Sequence, residues 1–220
     1  MDTARLAAPF RILRLFLPAA FFLGVAMNGF ANEVVSFDRM KAGAAPEGWT
    51  CGVTGRGSPR WTIETDATAP SATNVLKQSG SGDFPWCVLK SASVEDGFVE
   101  VKLKPLAGRQ DQAGGVVWRW KDGSRYYVAR ANALEDNVSL YYTEGGSRKT
   151  IKYVDAPVAR NQWHTLRVEF AGAHIKVILD GVLRIELDDK RIEGAGAVGV
   201  WTKADSVTLF EDFAYARKAP

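Results

Sequence analysis

The chain is poor in cysteine, histidine and methionine, and these shortages exclude several classes of protein. Its 220 residues include 2 cysteines, 2 histidines and 3 methionines. Two cysteines exclude a disulfide-rich scaffold and a multi-cysteine zinc fold, and two histidines leave little material for a histidine metal cage. A net charge of +3 is too small and too dispersed for a dedicated nucleic-acid-binding protein. Amphipathic helical periodicity and phosphate-binding glycine loops are also missing.

Residues 1–31 have the pattern of a secretory signal peptide. Three arginines precede an apolar run over residues 15–27, which is shorter than the ~20 residues that a transmembrane helix needs. Gly29 and Ala31 suit a cleavage site after Ala31, and an uncleaved N-terminal anchor is the alternative. Removing three arginines and one aspartate lowers the net charge from +3 to +1. We therefore expect a periplasmic or extracellular protein, residues 32–220, with no membrane attachment after cleavage.

Export changes what is expected of the two cysteines. An oxidising compartment favours a disulfide bond between Cys51 and Cys87. The bond would close a loop of about 37 residues and stabilise the fold by roughly 3–4 kcal/mol. Two buried thiols that never meet are the alternative. A catalytic cysteine is disfavoured, because neither has a histidine nearby in the sequence and export would oxidise a free thiol.

Alternation of apolar and polar residues with period 2 predicts an all-β fold. Two alternating runs, residues 175–179 and 182–187, flank Asp180-Gly181, a pair that accepts the positive φ angles of a tight hairpin turn. Strands of this length between glycine-rich turns indicate one β-sandwich domain over residues 32–220. The other predicted strands are residues 98–103, 114–120, 125–132, 137–142, 149–153, 166–170, 196–202 and 207–216.

The same alternation predicts which side chains share a face of a sheet. Val198 and Val200 point one way, whereas Trp201 and Lys203 point the other. If the predicted strands are neighbours, one face gathers a set of candidate substrate-binding residues: Arg119, Tyr126, Arg130, Asn132, Asn137, Tyr141, Trp201 and Lys203. Guanidinium and amide groups bind pairs of sugar hydroxyls, and Trp201 and Tyr141 would stack on a pyranose. A structural lattice of ion pairs and hydrogen bonds is the alternative.

Several segments resemble known families. Residues 161–170, followed by 175–181, resemble the paired strands of concanavalin A-like and laminin-G-like jelly rolls. A second set resembles the bacterial 3-keto-disaccharide hydrolase domains, often labelled family 16 glycoside hydrolase-like: residues 113–119, 126–137, 199–206 and 210–213. The resemblance implies a jelly-roll sandwich of two antiparallel sheets that recognises or acts on glycosides.

One departure bears on the chemistry. True family 16 glycosidases carry a Glu-x-Asp-x-x-Glu strand, and the nearest stretch here has Glu186 and Asp188 but ends in Arg191. Retaining chemistry needs two carboxyl groups about 5 Å apart, so we expect no ordinary retaining glucanase. A 3-keto sugar can instead be cleaved by proton abstraction next to its carbonyl group, which needs a base and an electrophilic helper. The catalytic residues remain unassigned.

Glu135 and Asp136 are the candidate metal ligands. Carboxylates suit Ca²⁺, and the laminin-G-like resemblance implies calcium at a sheet rim, whereas a polar turn is the alternative. The same two residues and His164 are the candidate bases, although His164 has the inward parity of a structural histidine. No other cofactor is expected.

Three functions are compatible with these patterns. The first is an exported carbohydrate-binding domain, the second a 3-keto-glycoside hydrolase that uses the same face, and the third a protein-interaction module.

Overall fold

The computed structural model describes residues 31–71 and 73–217, and in these ranges every regular element is a β-strand. No helix in this part of the chain is long and apolar enough to cross a membrane. All but the last residue of the predicted signal peptide lies outside the described residues. The strands are β1 (Ala31–Val35), β2 (Thr50–Ser58), β3 (Trp61–Thr65), β4 (Asn74–Gln78), β5 (Ser81–Val94), β6 (Gly97–Ala107), β7 (Ala113–Asp122), β8 (Arg125–Asn132), β9 (Asn137–Glu144), β10 (Ser147–Asp155), β11 (His164–Ala171), β12 (His174–Leu179), β13 (Val182–Asp188), β14 (Gly196–Trp201) and β15 (Val207–Arg217).

The strands form two antiparallel sheets that pack face to face. The eight-stranded sheet has the order β13-β12-β11-β6-β15-β4-β3, with β1 also paired to β15, and the seven-stranded sheet has the order β10-β9-β8-β7-β14-β5-β2. Strands adjacent in space are often distant in sequence, as the pairing of β6 with β15 shows. The predicted jelly-roll β-sandwich is confirmed.

The main core lies between the sheets and follows from the alternation. Leu166, Val168 and Phe170 on β11 are buried every second residue, and the intervening side chains are only half-buried. The Trp118 ring from the opposite sheet stacks on Phe170, with centroids 5.9 Å apart. Burial of such side chains contributes about 25 cal/mol per Å² of apolar surface. The apolar face of a strand in which apolar and polar residues alternate therefore packs into the interior.

Local signals predicted the hairpins but not the first strands of the domain. Asp180 and Gly181 have φ angles of 51° and 76°, which confirms the predicted β12–β13 turn. No strand was predicted between residues 31 and 94, where the structure has β1 to β5. Glycines interrupt the alternation of β2, and Pro85 lies inside β5, and both residue types weaken a strand pattern.

A disulfide bond between Cys51 and Cys87 joins β2 to β5, as predicted. The two cysteines face each other directly in the antiparallel register, so the bond ties the edge strand of the seven-stranded sheet to its neighbour.

The seven-stranded sheet is strongly curved, and its hollow side faces away from the core. Arg148 of β10 lies 4.7 Å from the ring of Phe84 of β5, although five inter-strand spacings separate these strands, or about 24 Å in a flat sheet. Thr54 of β2 likewise lies 2.8 Å from the hydroxyl group of Tyr126 on β8. The face turned away from the core is therefore concave, and we call it the concave face.

Candidate functional site

An aromatic layer forms the floor of the concave face. Tyr141 and Trp201 lie there as predicted, but 4% and 0% of these residues are exposed, so neither ring is open to a ligand. Phe84 stacks on Trp201 with centroids 6.0 Å apart and an interplanar angle of 14°. Since Phe84 is only half-buried, it is the ring that a ligand meets first.

An ionic network occupies one end of the concave face, where β7 begins and β14 ends. Asp111 is fully buried, and its Oδ2 accepts a hydrogen bond from Arg130 at 3.2 Å and forms an ion pair with Lys203 at 2.7 Å. Arg130 also donates to Glu135 at 2.6 Å and to Asn137 at 3.1 Å. Buried charges are tolerated only when paired and hydrogen-bonded, and this network meets that condition. Within the described residues, Asp111 Oδ1 and Arg130 Nε have no hydrogen-bond partner.

The loop that carries Asp111 is held by a second aspartate. Asp205 accepts hydrogen bonds from the backbone N–H groups of Arg109, Gln110 and Asp111 at 2.8, 2.9 and 3.2 Å. Burial raises the pKa of Asp205, but these three donors outweigh it and the net pKa is lowered. The ionised carboxylate fixes the loop and with it the position of Asp111.

Glu135 borders the network at the solvent side. Burial acts to raise its pKa, but hydrogen bonds from Asn137 and Arg130 and the nearby charges lower it overall. The carboxylate therefore stays ionised, and about two-fifths of its side chain is exposed. An ionised acid at this rim can accept a ligand hydroxyl group or a proton.

The predicted calcium ligands serve other contacts. Glu135 binds Arg130, whereas Asp136 accepts a hydrogen bond from the backbone N–H of Val158 at 3.0 Å. Within residues 31–71 and 73–217, no group of three or more histidine, cysteine, aspartate or glutamate side chains is placed to hold a metal ion. The arrangement fits the polar turn that was the alternative at Glu135 and Asp136.

Arg148 lies over the aromatic floor from the edge strand β10. Its guanidinium carbon is 4.1 Å from the ring centre of Tyr141 and 5.6 Å from that of Trp201. Burial lowers the pKa of Arg148, against an opposing contribution from Tyr141. Cation–π contacts of this kind hold the guanidinium group without using its N–H donors.

A cavity of about 470 Å³ opens between the ionic network and β2. Phe84 forms one wall, Lys203 and Gln110 lie beside the buried Asp111, and Arg56 and Asp83 border the opposite side. The Asp83 carboxylate also accepts a hydrogen bond from the backbone N–H of Arg56 at 2.8 Å, which fixes that rim. The cavity is within the size range of small-ligand sites.

The predicted placement of Arg119 on this face is wrong. Arg119 has a φ angle of 47°, and the pairing of β7 with both neighbours shifts register around it, so the alternation breaks there. Its buried guanidinium group points into the sandwich and donates to the backbone oxygens of Glu95, Ile192 and Gly172. Arg119 is a structural cross-link between loops.

The structure brings together seven of the eight predicted binding residues, but few of them are accessible. Asn132 accepts a hydrogen bond from the backbone N–H of Leu134 at 2.9 Å and so shapes the β8–β9 turn. Tyr126 is buried under Thr54, and burial raises its pKa. Asn137 donates to Glu135 and to Tyr153. Of the predicted set, Lys203 alone lines the cavity.

His164, the third candidate base, and the carboxylates Glu186 and Asp188 lie on the eight-stranded sheet. His164 begins β11, where its ring nitrogens lie 2.7 Å from Asp180 and 2.9 Å from the Ala159 carbonyl oxygen. It is not near the concave face, contrary to its nomination as a base there. Glu186 and Asp188 both bind His174 at the edge of the eight-stranded sheet.

Sequence reasoning missed Phe84, Asp111 and Arg148. Phe84 lies in β5, which was not predicted, and Asp111 lies in a loop, where alternation assigns no face. Arg148 precedes the strand predicted at residues 149–153, and the actual β10 begins two residues earlier at Ser147. An accurate boundary for β10 would have placed Arg148 on the concave face, since it pairs with Thr143.

Comparison with known proteins agrees with this architecture. Residues 34–209 match the model of a family described as the 3-keto-alpha-glucoside-1,2-lyase-like domain. Among curated proteins, none matches the chain.

Three solved structures share the fold. The carbohydrate-binding module CBM66 from Bacillus subtilis is 24% identical, with a TM-score of 0.61 over 79% of this chain and 96% of that chain. A Bacillus licheniformis beta-glucanase is 15% identical, with a TM-score of 0.53 over 87% and 99% of the two chains. The exoplasmic/lumenal domain of VIP36, in a Ca²⁺/Man-bound form, is 9% identical, with a TM-score of 0.53 over 87% and 92%.

Proposed function

The chain belongs to the 3-keto-alpha-glucoside-1,2-lyase-like domain family, and from that premise we propose that it binds a glycoside in the cavity between Phe84 and Lys203. One observation carries the proposal: a half-buried aromatic ring, Phe84, and the ammonium group of Lys203, which the buried ionic network holds, line the same cavity of about 470 Å³. Sugars present both an apolar ring face and polar hydroxyl groups, so a site of this kind satisfies both.

Each residue of the site would make a different kind of contact with the glycoside. Phe84 is held in place by Trp201 and offers a ring face for stacking. Lys203 is fixed by Asp111, and about a quarter of its side chain remains exposed to donate to a hydroxyl or carbonyl oxygen. Glu135, which borders the network on the solvent side and does not line the cavity, would accept a hydrogen bond from a hydroxyl group that extends beyond the cavity. Because these groups are held by buried partners, little entropy is lost when a ligand binds.

The names of the structural neighbours support a sugar ligand. They include a carbohydrate-binding module, a beta-glucanase and a mannose-bound domain. Their shared fold hosts both binding and catalysis, so the site residues must decide between these functions.

The test is a matched pair of aromatic substitutions. Phe84→Ala should weaken oligosaccharide binding at least tenfold, about 1.4 kcal/mol, because it removes the stacking ring. Trp163→Ala is the control, since Trp163 is a half-buried ring under Lys104 on the other sheet. Isothermal titration of both variants against a panel of neutral and acidic oligosaccharides measures the effect. Equal binding by both variants, or none by the wild type, would refute the proposed site.

Catalysis on 3-keto-glycosides is the second candidate, and the family description favours it. A base removes the proton from C2, the electron pair forms the C1=C2 double bond, and the C1–O bond breaks to release the other sugar, which takes up a proton. The fully buried Asp111 is paired with Lys203, so Glu135, the half-exposed acid of the same network, is the candidate base, and the Lys203 ammonium group would stabilise the oxygen at C3 as an enolate.

Its test follows absorbance of the conjugated enone and release of the leaving sugar from a 3-keto-glucoside. Glu135→Gln should lower the rate by about 10²-fold or more if Glu135 is the base. Glu144→Gln, an exposed acid at the end of β9, is the control. A rate unchanged in Glu135→Gln excludes that residue as the base.

We also propose that the protein is exported to the periplasm or beyond. Support comes from the N-terminal pattern and from the disulfide bond, which oxidising compartments favour. The N-terminal sequence of the protein recovered from its native compartment should begin at Asn32. A protein that retains Met1 in the cytoplasm would contradict export.

A further inference from the structure

Arg148 is a cation for which the described part of the chain provides no counter-ion. Its guanidinium group touches the rings of Tyr141, Phe84 and Trp201, yet it forms no ion pair and no hydrogen bond with any described residue. Its Nη1 atom is buried without a partner. A guanidinium group has five N–H donors, and leaving buried donors unused costs free energy unless a ligand or solvent engages them.

The charges around Arg148 do not cancel. Arg130 and Lys203 carry two positive charges, and Asp111 and Glu135 match them with two negative charges through ion pairs of 2.6 to 3.2 Å. Arg148 then adds one positive charge that these residues leave unbalanced. Arg56 and Asp83, which border the cavity, carry one charge of each sign and leave this balance unchanged. This end of the concave face is therefore suited to a ligand with a single negative charge.

We propose that the glycoside bound on the concave face carries a carboxylate, as in a uronic acid or another sugar acid, and that Arg148 binds it. This inference rests on the proposed function and adds the substrate class. Three features support a carboxylate. Two carboxylate oxygens match the planar fork of the guanidinium donors, and Arg148 carries the one positive charge that its neighbours leave unbalanced. The partly apolar surroundings strengthen an ion pair. The rest of the sugar would reach Phe84, which lies 4.7 Å from the Arg148 guanidinium carbon.

The experiment compares three ligands that differ only at C6. Methyl β-D-glucuronoside carries the carboxylate, its methyl ester removes the charge, and methyl β-D-glucoside is the neutral parent. Titration of the exported protein should show binding of the acid at least tenfold tighter than that of the ester, and added salt should reduce the difference. Equal affinity for the acid and the ester would overturn the inference.

Variants assign the preference to Arg148. Arg148→Gln should abolish the acid-over-ester ratio, and Arg148→Lys should retain part of it, because it keeps the charge but loses the fork. Arg125→Gln is the control, since Arg125 is an exposed arginine on the same sheet whose removal changes the net charge equally. A ratio that persists in both Arg148 variants would refute the assignment. If Arg148→Gln does not fold, the lysine variant decides alone.

The outcomes separate this inference from the proposed function. Binding of the neutral glucoside without preference for the acid leaves the glycoside site standing and rejects the role of Arg148. If the protein binds none of the three ligands and none of the oligosaccharides in the panel, both the inference and the proposed function are rejected. Tighter binding of a 6-sulfated glucoside than of the acid would overturn the choice of a carboxylate.

Discussion

Arg130 and Asp111 form an ion pair that is closed to solvent on both sides, with 2% and 0% of the two side chains exposed. The pair joins β8 to the loop before β7, and Lys203 after β14 completes it. Three separate segments of the chain therefore meet at one carboxylate. This carboxylate both stabilises that end of the sheet and orients the groups that border the cavity.

Replacing Asp111 tests both roles. Asp111→Asn should lower the free energy of unfolding by about 3 kcal/mol, because Arg130 and Lys203 lose the buried carboxylate that both pair with, and Arg130 keeps only the half-exposed Glu135. Urea unfolding measures the loss, and it should be accompanied by weaker glycoside binding. Lys203→Gln is the comparison, since Asp111 keeps Arg130 and the loss should be under about 1.5 kcal/mol. A smaller effect for Asp111→Asn than for Lys203→Gln would contradict this account.

Arg119 should behave as a structural residue. Arg119→Met removes hydrogen bonds to three backbone oxygens and leaves them unsatisfied, so the free energy of unfolding should fall by about 3 kcal/mol while glycoside affinity is retained. Thermal unfolding and titration of the same preparation give both values. Arg125→Met, at an exposed position, should change stability by about 0.5 kcal/mol or less. Loss of affinity at unchanged stability would restore Arg119 as a binding residue.

The disulfide bond should contribute substantially to stability. Replacing Cys51 and Cys87 together by serine opens a cross-link between residues 36 apart in sequence. The chain-entropy model predicts a loss of roughly 3–4 kcal/mol. Unfolding by urea with and without a reducing agent provides the measurement, and the wild type under reducing conditions should approach the double serine variant. Equal stability of the oxidised and reduced protein would show that the bond does not constrain the unfolded chain.

The eight-stranded sheet has a pH-sensitive contact at its edge. Hydrogen bonds to Asp188 and then to Glu186 raise the pKa of His174, and hydrogen bonds from Lys176 and His174 lower the pKa of Glu186. Because folding raises the pKa of His174, the protonated ring stabilises the fold fully below the ordinary pKa of 6.5. This contribution is lost as the pH rises through the pKa of the folded state. The glutamate contribution is present above its ordinary value of 4.5 and is lost as the pH falls. The contact should therefore be strongest between about pH 4.5 and 6.5.

Proton NMR of the two histidine rings checks this prediction. The His174 resonance should titrate above pH 6.5, and Asp188→Asn should move its midpoint downwards. Asp180→Asn alters the partner of His164 instead and is the control for the assignment of the resonances. An unchanged His174 midpoint in Asp188→Asn would show that the carboxylate does not set it.

Much of the fold could be predicted from the sequence, because the alternation of apolar and polar residues is a local property. Except in β10, where no residue is buried, each strand from β6 to β15 has apolar residues on the face that becomes buried, and the Asp180-Gly181 turn needs no distant contact to form. Prediction failed over β1 to β5, where glycines in β2 and Pro85 in β5 interrupt the pattern and where strand pairing with β5 and β15 replaces local preference. It failed at Arg119 because a bulge reverses the alternation at that residue.

By itself, the sequence determined an all-β sandwich, the Asp180-Gly181 hairpin turn and the parity that places residues such as Arg130, Tyr141 and Trp201 on one face once their strands are neighbours. It left the pairing of the two cysteines open. The features that it determined follow from side-chain parity and turn chemistry, which act over a few residues. Only the tertiary structure decided which of those groups a ligand can reach. The curl of the sheet brings Phe84 and Arg148 together from strands five positions apart, covers Trp201, and leaves the cavity beside Lys203, and no local pattern encodes a contact over that distance.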